Sequence, residues 1–142
     1  PAHTYSSGRL AWPLQGPLTQ GFGPSPYWFE PPITYHGVRY RHFHTGIDIA
    51  ARYGSPIRAA ADGMVITVAY GPWGYGNYVI VAHNPSVATL YAHLSRVAIG
   101  QGTVVKQGQV IGFEGSTGNS TGPHLHFEVR LNGDFVNPLG YL

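Results

Sequence analysis

Histidine is the side chain that most readily carries a proton near neutral pH and most often binds a metal, and this sequence contains eight of them in 142 residues. One of them, His44, stands four residues before Asp48. The intervening Thr-Gly-Ile argues against a helix. In a straight strand the two side chains would lie roughly 13 Å apart at about 3.3 Å per residue, too far to share one metal ion. A bend at Gly46 is therefore needed if His44 and Asp48 act together.

Two more histidines lie in residues 122–130, GPHLHFEVR, where apolar and polar residues alternate. A strand with a period of two puts His124, His126, Glu128 and Arg130 on one face. Two imidazoles about 6.6 Å apart on that face can both reach a metal ion, or one can bind it while the other stands over the reacting water. A solvated polar face is the simpler interpretation, and the segment alone leaves both open.

A further histidine, His93, ends a predicted strand between two apolar neighbours, Ala92 and Leu94. A lone histidine in such a position is usually a buried residue with satisfied hydrogen bonds. Its occurrence beside a His/Asp pair and a His-x-His strand, in a small chain, indicates a metal site with nitrogen and oxygen ligands and an open position. Catalytic zinc and non-haem iron both use such ligand sets, and the spacing does not separate them.

The elements that must position these residues are short strands. From residue 56 onwards, strand-like segments alternate with glycine-bearing turns: PIRAAADGMVITVAY, GNYVIVAH, ATLYAHLS, QVIGFEG and HLHFEVR. No amphipathic stretch of helical period interrupts them. The sequence predicts an all-β fold, a compact and mainly antiparallel sheet or barrel-like domain.

The segment from Gly21 to Tyr40 is different, because it combines four prolines with several aromatic residues. Proline lacks the backbone donor that a central strand needs, so we expect a long loop here. Long loops in compact domains are often functional, which favours the wall of a substrate groove. Aromatic side chains that fill a surface gap are the alternative.

Composition limits the classes of protein. A chain of this length forms one domain, and 43% hydrophobic residues can build its core. The eight Lys and Arg residues are scattered and the net charge is +2, so a nucleic-acid partner is not expected. No apolar stretch reaches the roughly 18 to 20 residues of a transmembrane helix. The absence of cysteine excludes disulfides, a thiol nucleophile and thiolate metal ligands.

The motifs, taken in order, resemble those of the lysostaphin-type zinc metallopeptidases, the M23 or LytM-like domain. The resemblance covers residues 17–142 and rests on HTGID, its continuation IAARYGSPI, AADGMV, GYGNYVIVAH, TLYAHLS, GQVIGFEGSTGNSTGPHLHFEVR and VNPLGYL. It implies a mainly antiparallel β fold in which long loops wall a groove. It also implies a zinc-dependent endopeptidase that hydrolyses peptide bonds in bacterial peptidoglycan, in cross-links or stem peptides.

The resemblance also assigns the site residues. His44, Asp48 and His126 fall on the family's zinc ligands, while His93 and His124 fall on its two other histidines, beside the reacting water and the scissile carbonyl. We expect His124 to accept the proton from water and His93 to help stabilise charge, with the two roles exchangeable. Tyr40, four residues before His44, is a candidate donor to the tetrahedral intermediate. The family's pattern is simpler between Gly23 and His42, which leaves substrate preference open.

Further expectations concern the partner, the location and the domain boundaries. The partner is a peptidoglycan peptide, the domain is monomeric and part of a larger protein, and its location is extracytoplasmic: secreted, periplasmic or cell-wall associated. Residues 1–16 are predicted to be an arm or linker that precedes the peptidase domain of residues 17–142, with Trp12 and Leu14 packed on the core. A non-catalytic peptidoglycan-binding or scaffold domain of a cell-envelope protein is the alternative function.

Overall fold

The computed structural model describes residues 8–142, and over this range the fold is built from short β-strands and one 3-10 turn. The strands are β1 Leu18–Gln20, β2 Gly23–Pro24, β3 Ile33–Tyr35, β4 Val38–Tyr40, β5 Phe43–His44, β6 Ile47–Ile49, β7 Pro56–Arg58, β8 Gly63–Ala69, β9 Asn77–Ala82, β10 Val87–Leu94, β11 Arg96–Val97, β12 Val104–Val105, β13 Val110–Phe113, β14 Leu125–Leu131 and β15 Asp134–Val136. The 3-10 turn is Pro138–Gly140.

One large antiparallel sheet organises the molecule. Its strand order is β1-β6-β14-β10-β9-β8-β12, and β15 pairs with β14 beside this path. A second sheet, in the order β11-β13-β7, supplies the other side of the apolar core. Every strand pair among the described residues is antiparallel, and the prediction of an all-β, mainly antiparallel fold is confirmed.

The strand β14 lies at the centre of the site-bearing half of the sheet, between β6 and β10. Its apolar residues Leu125, Phe127 and Val129 are fully buried in the core, as the alternation predicts. The alternate face is not solvated, however, because His126 and Glu128 are buried as well. The simpler interpretation of this segment, a polar face in water, is therefore wrong.

The antiparallel register between β6 and β14 brings distant parts of the sequence together. His126 stands directly opposite Asp48, and its neighbours Leu125 and Phe127 stand opposite Ile49 and Ile47. Residues directly opposite in an antiparallel pair share a face with Cβ atoms about 4.5 to 5.5 Å apart. The pairing of β6 with β14 thus brings His126 and Asp48, which are 78 residues apart in the chain, side by side.

The proline-rich segment after β1 contains more regular structure than expected. β3 and β4 form a two-stranded hairpin, with His36 and Gly37 at its turn both in left-handed conformations (φ 49° and 81°). Two positive φ values in a two-residue turn are those that match the twist of a hairpin. The four prolines precede this hairpin, and it forms a separate small sheet outside the main one, so no ladder donor is lost there.

The beginning of the described chain packs on the domain. Leu10 and Leu14 are buried in the core, whereas Trp12 is partly exposed. Backbone hydrogen bonds join Leu10 to Tyr141 and Ala11 to Ala60. Residues 1–7 of the predicted arm lie outside the described residues, and its boundary at residue 16 stays a prediction. Within residues 8–142, no helix is long and apolar enough to cross a membrane.

Candidate metal centre

Three side-chain atoms form a nearly equilateral triangle at the floor of a groove. His44 Nε2, Asp48 Oδ1 and His126 Nδ1 are each 3.1 Å from the other two. Two of the side chains are buried and the third is nearly so. Within the described residues this is the group of three His, Cys, Asp or Glu side chains whose atoms approach closely enough to hold a metal ion.

The local chain path explains how His44 and Asp48 meet. β5 ends at His44 and β6 begins at Ile47, so the chain changes direction at Thr45 and Gly46. A Cβ on Gly46 would lie only 2.2 Å from the carbonyl oxygen of Phe127. Glycine is required there because the backbone passes so close to β14, which adds a reason to the predicted bend.

Hydrogen bonds fix which nitrogen of each ring faces the triangle. His44 Nδ1 donates to the carbonyl oxygen of Gly21 (2.8 Å), which leaves its Nε2 as an acceptor. His126 Nε2 lies 2.9 Å from Glu128 Oε2 and donates to it, which leaves Nδ1 as an acceptor. Three acceptor atoms at 3.1 Å from one another repel unless a cation or a proton lies among them.

The pKa values of Asp48 and His126 reflect the same crowding of acceptor atoms. Burial raises the pKa of the Asp48 carboxyl, but hydrogen bonds and charges from His126 and His44 outweigh it and hold that pKa far below its usual value. Burial lowers the pKa of His126, but its hydrogen bonds to Asp48 and Glu128 outweigh this and raise the pKa to about 9. In the metal-free protein a proton therefore stabilises the triangle in the position a cation would take.

The donor set fits zinc. Two imidazole nitrogens and one carboxylate oxygen are the ligands of open catalytic zinc sites, where bonds of about 2.0 to 2.1 Å in a tetrahedron place ligand atoms roughly 3.3 Å apart. The observed 3.1 Å edges are close to that spacing. The same ligands also suit non-haem iron, so the geometry alone leaves both metals open.

The two other predicted histidines stand beside the triangle. His93 and His124 have ring centroids 4.8 Å apart, and His124 Nε2 is 3.6 Å from Asp48 Oδ2. The Nδ1 atoms donate to carbonyl oxygens, His93 to Thr117 (2.7 Å) and His124 to Gly122 (2.9 Å). Both rings are thereby oriented with Nε2 available as an acceptor in the neutral form.

His93 has an unusual backbone for a residue in a strand. Its φ is +63°, and the register between β10 and β9 shifts between Tyr91 and Leu94. Side chains with a Cβ seldom adopt this left-handed region. The irregularity turns the side chain of His93 towards the groove, while burial, together with His126 and His124, lowers the pKa of His93 to about 4.

The groove above these residues has a volume of about 620 Å³. One wall comes from the aromatic segment, with Tyr27, Phe29 and Ile33, and the other includes Tyr75 and residues 119–124. The expectation that the loop of residues 21–40 walls a groove is consistent with this lining. Trp28 does not line the groove; its ring contacts that of Phe29, and 83% of its surface is exposed.

The structure brings five of the six predicted site residues together and separates the sixth. Tyr40 lies on β4, where its ring packs against Phe43 at a centroid distance of 5.3 Å. It is not among the described residues that line the groove. Its assignment to substrate binding stays a prediction that the position does not favour.

Two residues that touch the site were missed by the sequence analysis. Thr45 and Tyr75 donate hydroxyl hydrogen bonds to Glu128, at 2.6 and 2.5 Å. Their types and spacing carried no signal, because both contacts join segments that are far apart in the chain. Glu128 itself carried a signal, since a strand places it on the same face as His126.

An all-β domain with a His₂Asp cluster in a groove, flanked by two further histidines, has the arrangement of a metal-dependent hydrolase. Residues 42–138 match Peptidase family M23, and the chain belongs to this family. All five clustered residues lie within the matched range. The resemblance found in the sequence is thereby confirmed.

Relatives and solved structures agree with this membership. The chain is 59% identical over 96 residues to the DD-carboxypeptidase/endopeptidase Mpg of Neisseria meningitidis serogroup B, covering 68% of this chain and 22% of that protein. It is 41% identical over 114 residues to the peptidoglycan DD-endopeptidase ShyB of Vibrio cholerae, covering 80% and 25%. The chain thus spans about a quarter or less of these relatives.

Among solved structures, a zinc containing peptidase from Vibrio cholerae superposes with a TM-score of 0.78 at 33% identity, covering 92% of this chain and 39% of that one. The catalytic domain of lysostaphin from Staphylococcus simulans gives a TM-score of 0.74 at 30% identity, covering 89% and 91%. The second comparison pairs two domains of nearly equal extent.

Proposed function

We propose that this chain is a zinc-dependent endopeptidase domain that hydrolyses peptide bonds in the cross-links or stem peptides of bacterial peptidoglycan. The observation that carries the proposal is the triangle of three acceptor atoms, each 3.1 Å from the next, at the floor of an open groove. The similarity to a zinc containing peptidase favours zinc over iron.

In this proposal His44, Asp48 and His126 hold the zinc ion. When bound, Zn²⁺ supplies a Lewis acid that polarises a peptide carbonyl and makes a water molecule reactive near neutral pH. Asp48 brings a negative charge that offsets part of the cation's charge. The two imidazoles, oriented by Gly21 and Glu128, bring neutral lone pairs.

His124 and His93 carry the proton. Each presents Nε2 as an acceptor, because each Nδ1 is bonded to a backbone carbonyl. His124 Nε2 lies beside the triangle, 3.6 Å from Asp48 Oδ2, and we propose His124 as the base. A ring that has gained the proton becomes a donor and can pass it to the leaving amine, so the two roles remain exchangeable.

The groove suits an extended peptide. It is lined by aromatic rings and small polar residues, with Glu30 as the charged side chain on the aromatic wall. The names of the relatives, which include peptidoglycan DD-endopeptidases, favour a bond between D-amino acids over a glycine bridge. Because such a substrate lies outside the cytoplasmic membrane, we expect the domain to act there, as a monomeric domain of a larger protein.

The test is mass spectrometry of purified peptidoglycan of two types, one directly cross-linked through D-alanine and one bridged by glycine, after incubation with the zinc-loaded domain. We expect new amine ends in one type, the directly cross-linked one, and none with His124→Ala. The matched control is His36→Ala, because His36 is exposed and does not line the groove. Binding of zinc and of peptidoglycan without cleavage of either type would favour the alternative, a wall-binding domain.

A further inference from the structure

The side chain of Glu128 is fully buried, with none of its surface exposed, yet it accepts hydrogen bonds from four different residues. Its Oε2 accepts from Thr45 Oγ1 (2.6 Å), Tyr75 OH (2.5 Å) and His126 Nε2 (2.9 Å). Its Oε1 accepts from Arg130, with Nε at 3.0 Å and a terminal nitrogen at 2.9 Å. A buried carboxylate is costly unless it is paired in this way.

The contact between Glu128 and His126 has a direction. Because a carboxylate accepts, His126 must carry its proton on Nε2 and present Nδ1 to His44 and Asp48. The other histidines around the groove are oriented by backbone carbonyls, those of Gly21, Thr117 and Gly122. His126 differs from them because it donates its hydrogen bond to a charged carboxylate. A hydrogen bond of this kind makes an imidazole a stronger metal ligand.

Tyr75 holds the same pair from a second side. Its hydroxyl donates to Glu128, and its ring stacks on that of His126 with centroids 5.7 Å apart and planes 28° from parallel. Tyr75 comes from the segment before β9 and also lines the groove. One side chain thus fixes both the carboxylate and the imidazole ring that it orients.

We infer that Glu128 is the positioning residue of this metal centre: with Tyr75 and Thr45 holding its Oε2, it fixes His126 with Nδ1 directed at the ion. Arg130 balances its charge from the solvent side. The inference rests on the proposed function, because it concerns how the zinc ligands are oriented. It assigns Glu128 a role in metal affinity, beyond its contribution to folding.

The first measurement is the dissociation constant of zinc, obtained by competition with a chelator of known affinity. We expect Glu128→Gln to weaken zinc binding by roughly 10 to 100-fold, the usual effect of removing a carboxylate that supports a ligating histidine. The matched control is Glu114→Gln. Glu114 is equally buried, but its carboxyl group accepts its hydrogen bond from the backbone nitrogen of Ala51 (3.3 Å) and not from a histidine. We expect that variant to bind zinc as the unchanged protein does.

A second pair of variants keeps the test valid if Glu128→Gln does not fold. Tyr75→Phe removes one hydroxyl donor to Glu128 and keeps the ring stacked on His126. We expect zinc binding to weaken about fivefold, the equivalent of one hydrogen bond. Tyr78→Phe is its control, because Tyr78 packs against Tyr75 without lining the groove.

A spectroscopic signature separates orientation of the ring from general destabilisation. In the zinc-loaded protein the proton on His126 Nε2 is buried and bonded to a carboxylate, so its NMR resonance should be shifted far downfield and exchange slowly. We expect Glu128→Gln to move this resonance upfield and Glu114→Gln to leave it in place.

The outcomes are distinct. Equal zinc affinity and an unmoved resonance in Glu128→Gln would overturn the inference while leaving the zinc centre intact. Equal losses in the Glu128 and Glu114 variants would also overturn it, since burial of a carboxylate would then be the cause. Failure of the unchanged protein to bind zinc would overturn the proposed function itself.

Discussion

Four histidines among the described residues are buried, and they occupy two regions: His44, His93 and His126 line the groove, whereas His83 does not. Around the groove, His44, His93, His126 and the partly buried His124 each donate one nitrogen to a protein acceptor, which leaves the other nitrogen as an acceptor. His83 is just as buried but does not line the groove, and both of its nitrogens have partners inside the protein, at 2.8 Å from the Asp62 carbonyl oxygen and 2.7 Å from Thr89 Oγ1.

The hydrogen bonds of the second region continue through the core. The hydroxyls of Thr89 and Tyr91 are 2.6 Å apart, and Tyr91 accepts a hydrogen bond from the backbone nitrogen of Ala60 (2.9 Å). We call His83, Thr89 and Tyr91 the core chain. Burial is thus common to both regions. The difference is that His83 makes hydrogen bonds inside the protein through both nitrogens, whereas each histidine of the groove keeps one nitrogen as an acceptor.

The largest expected effect is a loss of metal in one region only. Asp48→Ala removes one of three donors and leaves His44 and His126 without a shared anion, so zinc binding and turnover should both fall to background. His83→Gln should keep one equivalent of zinc, because its nitrogens do not face the groove. Zinc content after dialysis and the release of amine ends measure the two. If Asp48→Ala kept one equivalent of zinc, as His83→Gln is expected to do, Asp48 would not be a ligand and the proposed difference between the two regions would be contradicted.

Within the groove, His93→Ala should separate chemistry from metal binding. His93 is outside the triangle, so zinc should be retained, whereas turnover should fall by roughly 10² to 10⁴-fold, the range for loss of a proton-transfer group. Zinc content and turnover are measured on the same sample. A metal-free His93→Ala protein would place this residue among the ligands and contradict the assignment.

The two regions should also give opposite pH dependence to the stability of the metal-free protein. The pKa of His126 is about 9 in the folded protein, above its unfolded value. The contribution of the protonated His126 to the free energy of unfolding is therefore fully present below pH 6.5 and is lost as the pH rises towards 9. At 1.36 kcal/mol per pKa unit, the loss is at most about 3 kcal/mol. Burial lowers the pKa of His83, so its contribution is lost as the pH falls below 6.5.

Denaturant unfolding of the metal-free protein between pH 4 and pH 9.5 measures both limbs. We expect His126→Gln to flatten the alkaline limb and His83→Gln to reduce the slope of the acidic limb, to which His93 also contributes. If His126→Gln left the alkaline limb unchanged, the bound proton would not be at the triangle.

The smallest expected effect is in the core chain. Thr89→Val keeps the shape of the side chain but leaves His83 Nε2 and the Tyr91 hydroxyl without their shared partner, which should cost about 1 to 3 kcal/mol of unfolding free energy. Zinc affinity and turnover should not change. A loss of zinc affinity in this variant would mean that the core chain and the groove are coupled through β10.

The sequence predicts the fold class and the members of the cluster, some of them from local pattern and others only from resemblance to a family. Alternation in β14 places His126 and Glu128 on one face, and the glycine between His44 and Asp48 indicates a bend. By contrast, Val81-Ala82-His83 and Tyr91-Ala92-His93 look alike, each a histidine after alanine at a strand end. The local pattern does not distinguish His83, in the core, from His93, at the groove. The resemblance to a family distinguishes them, because it assigns a role to His93.

Long-range contacts account for what the sequence leaves out. Tyr75 and Thr45 meet Glu128 across 53 and 83 positions of the chain, and such contacts are produced by sheet order, which short motifs do not encode. The hairpin of β3 and β4 was missed because prolines nearby favoured a loop. The prolines lie before the hairpin, where the lost donors do not interrupt the ladder.

The left-handed backbone of His93 has an evolutionary consequence. Among residues with a Cβ, the φ of +63° costs about 1 to 2 kcal/mol, and glycine escapes that cost. A strained backbone of this kind persists only where the residue is favoured for another reason, and here that reason is the proton-transfer role proposed for the imidazole. A stability-optimised version of this domain is expected to lose its activity here first, with fold and metal both intact.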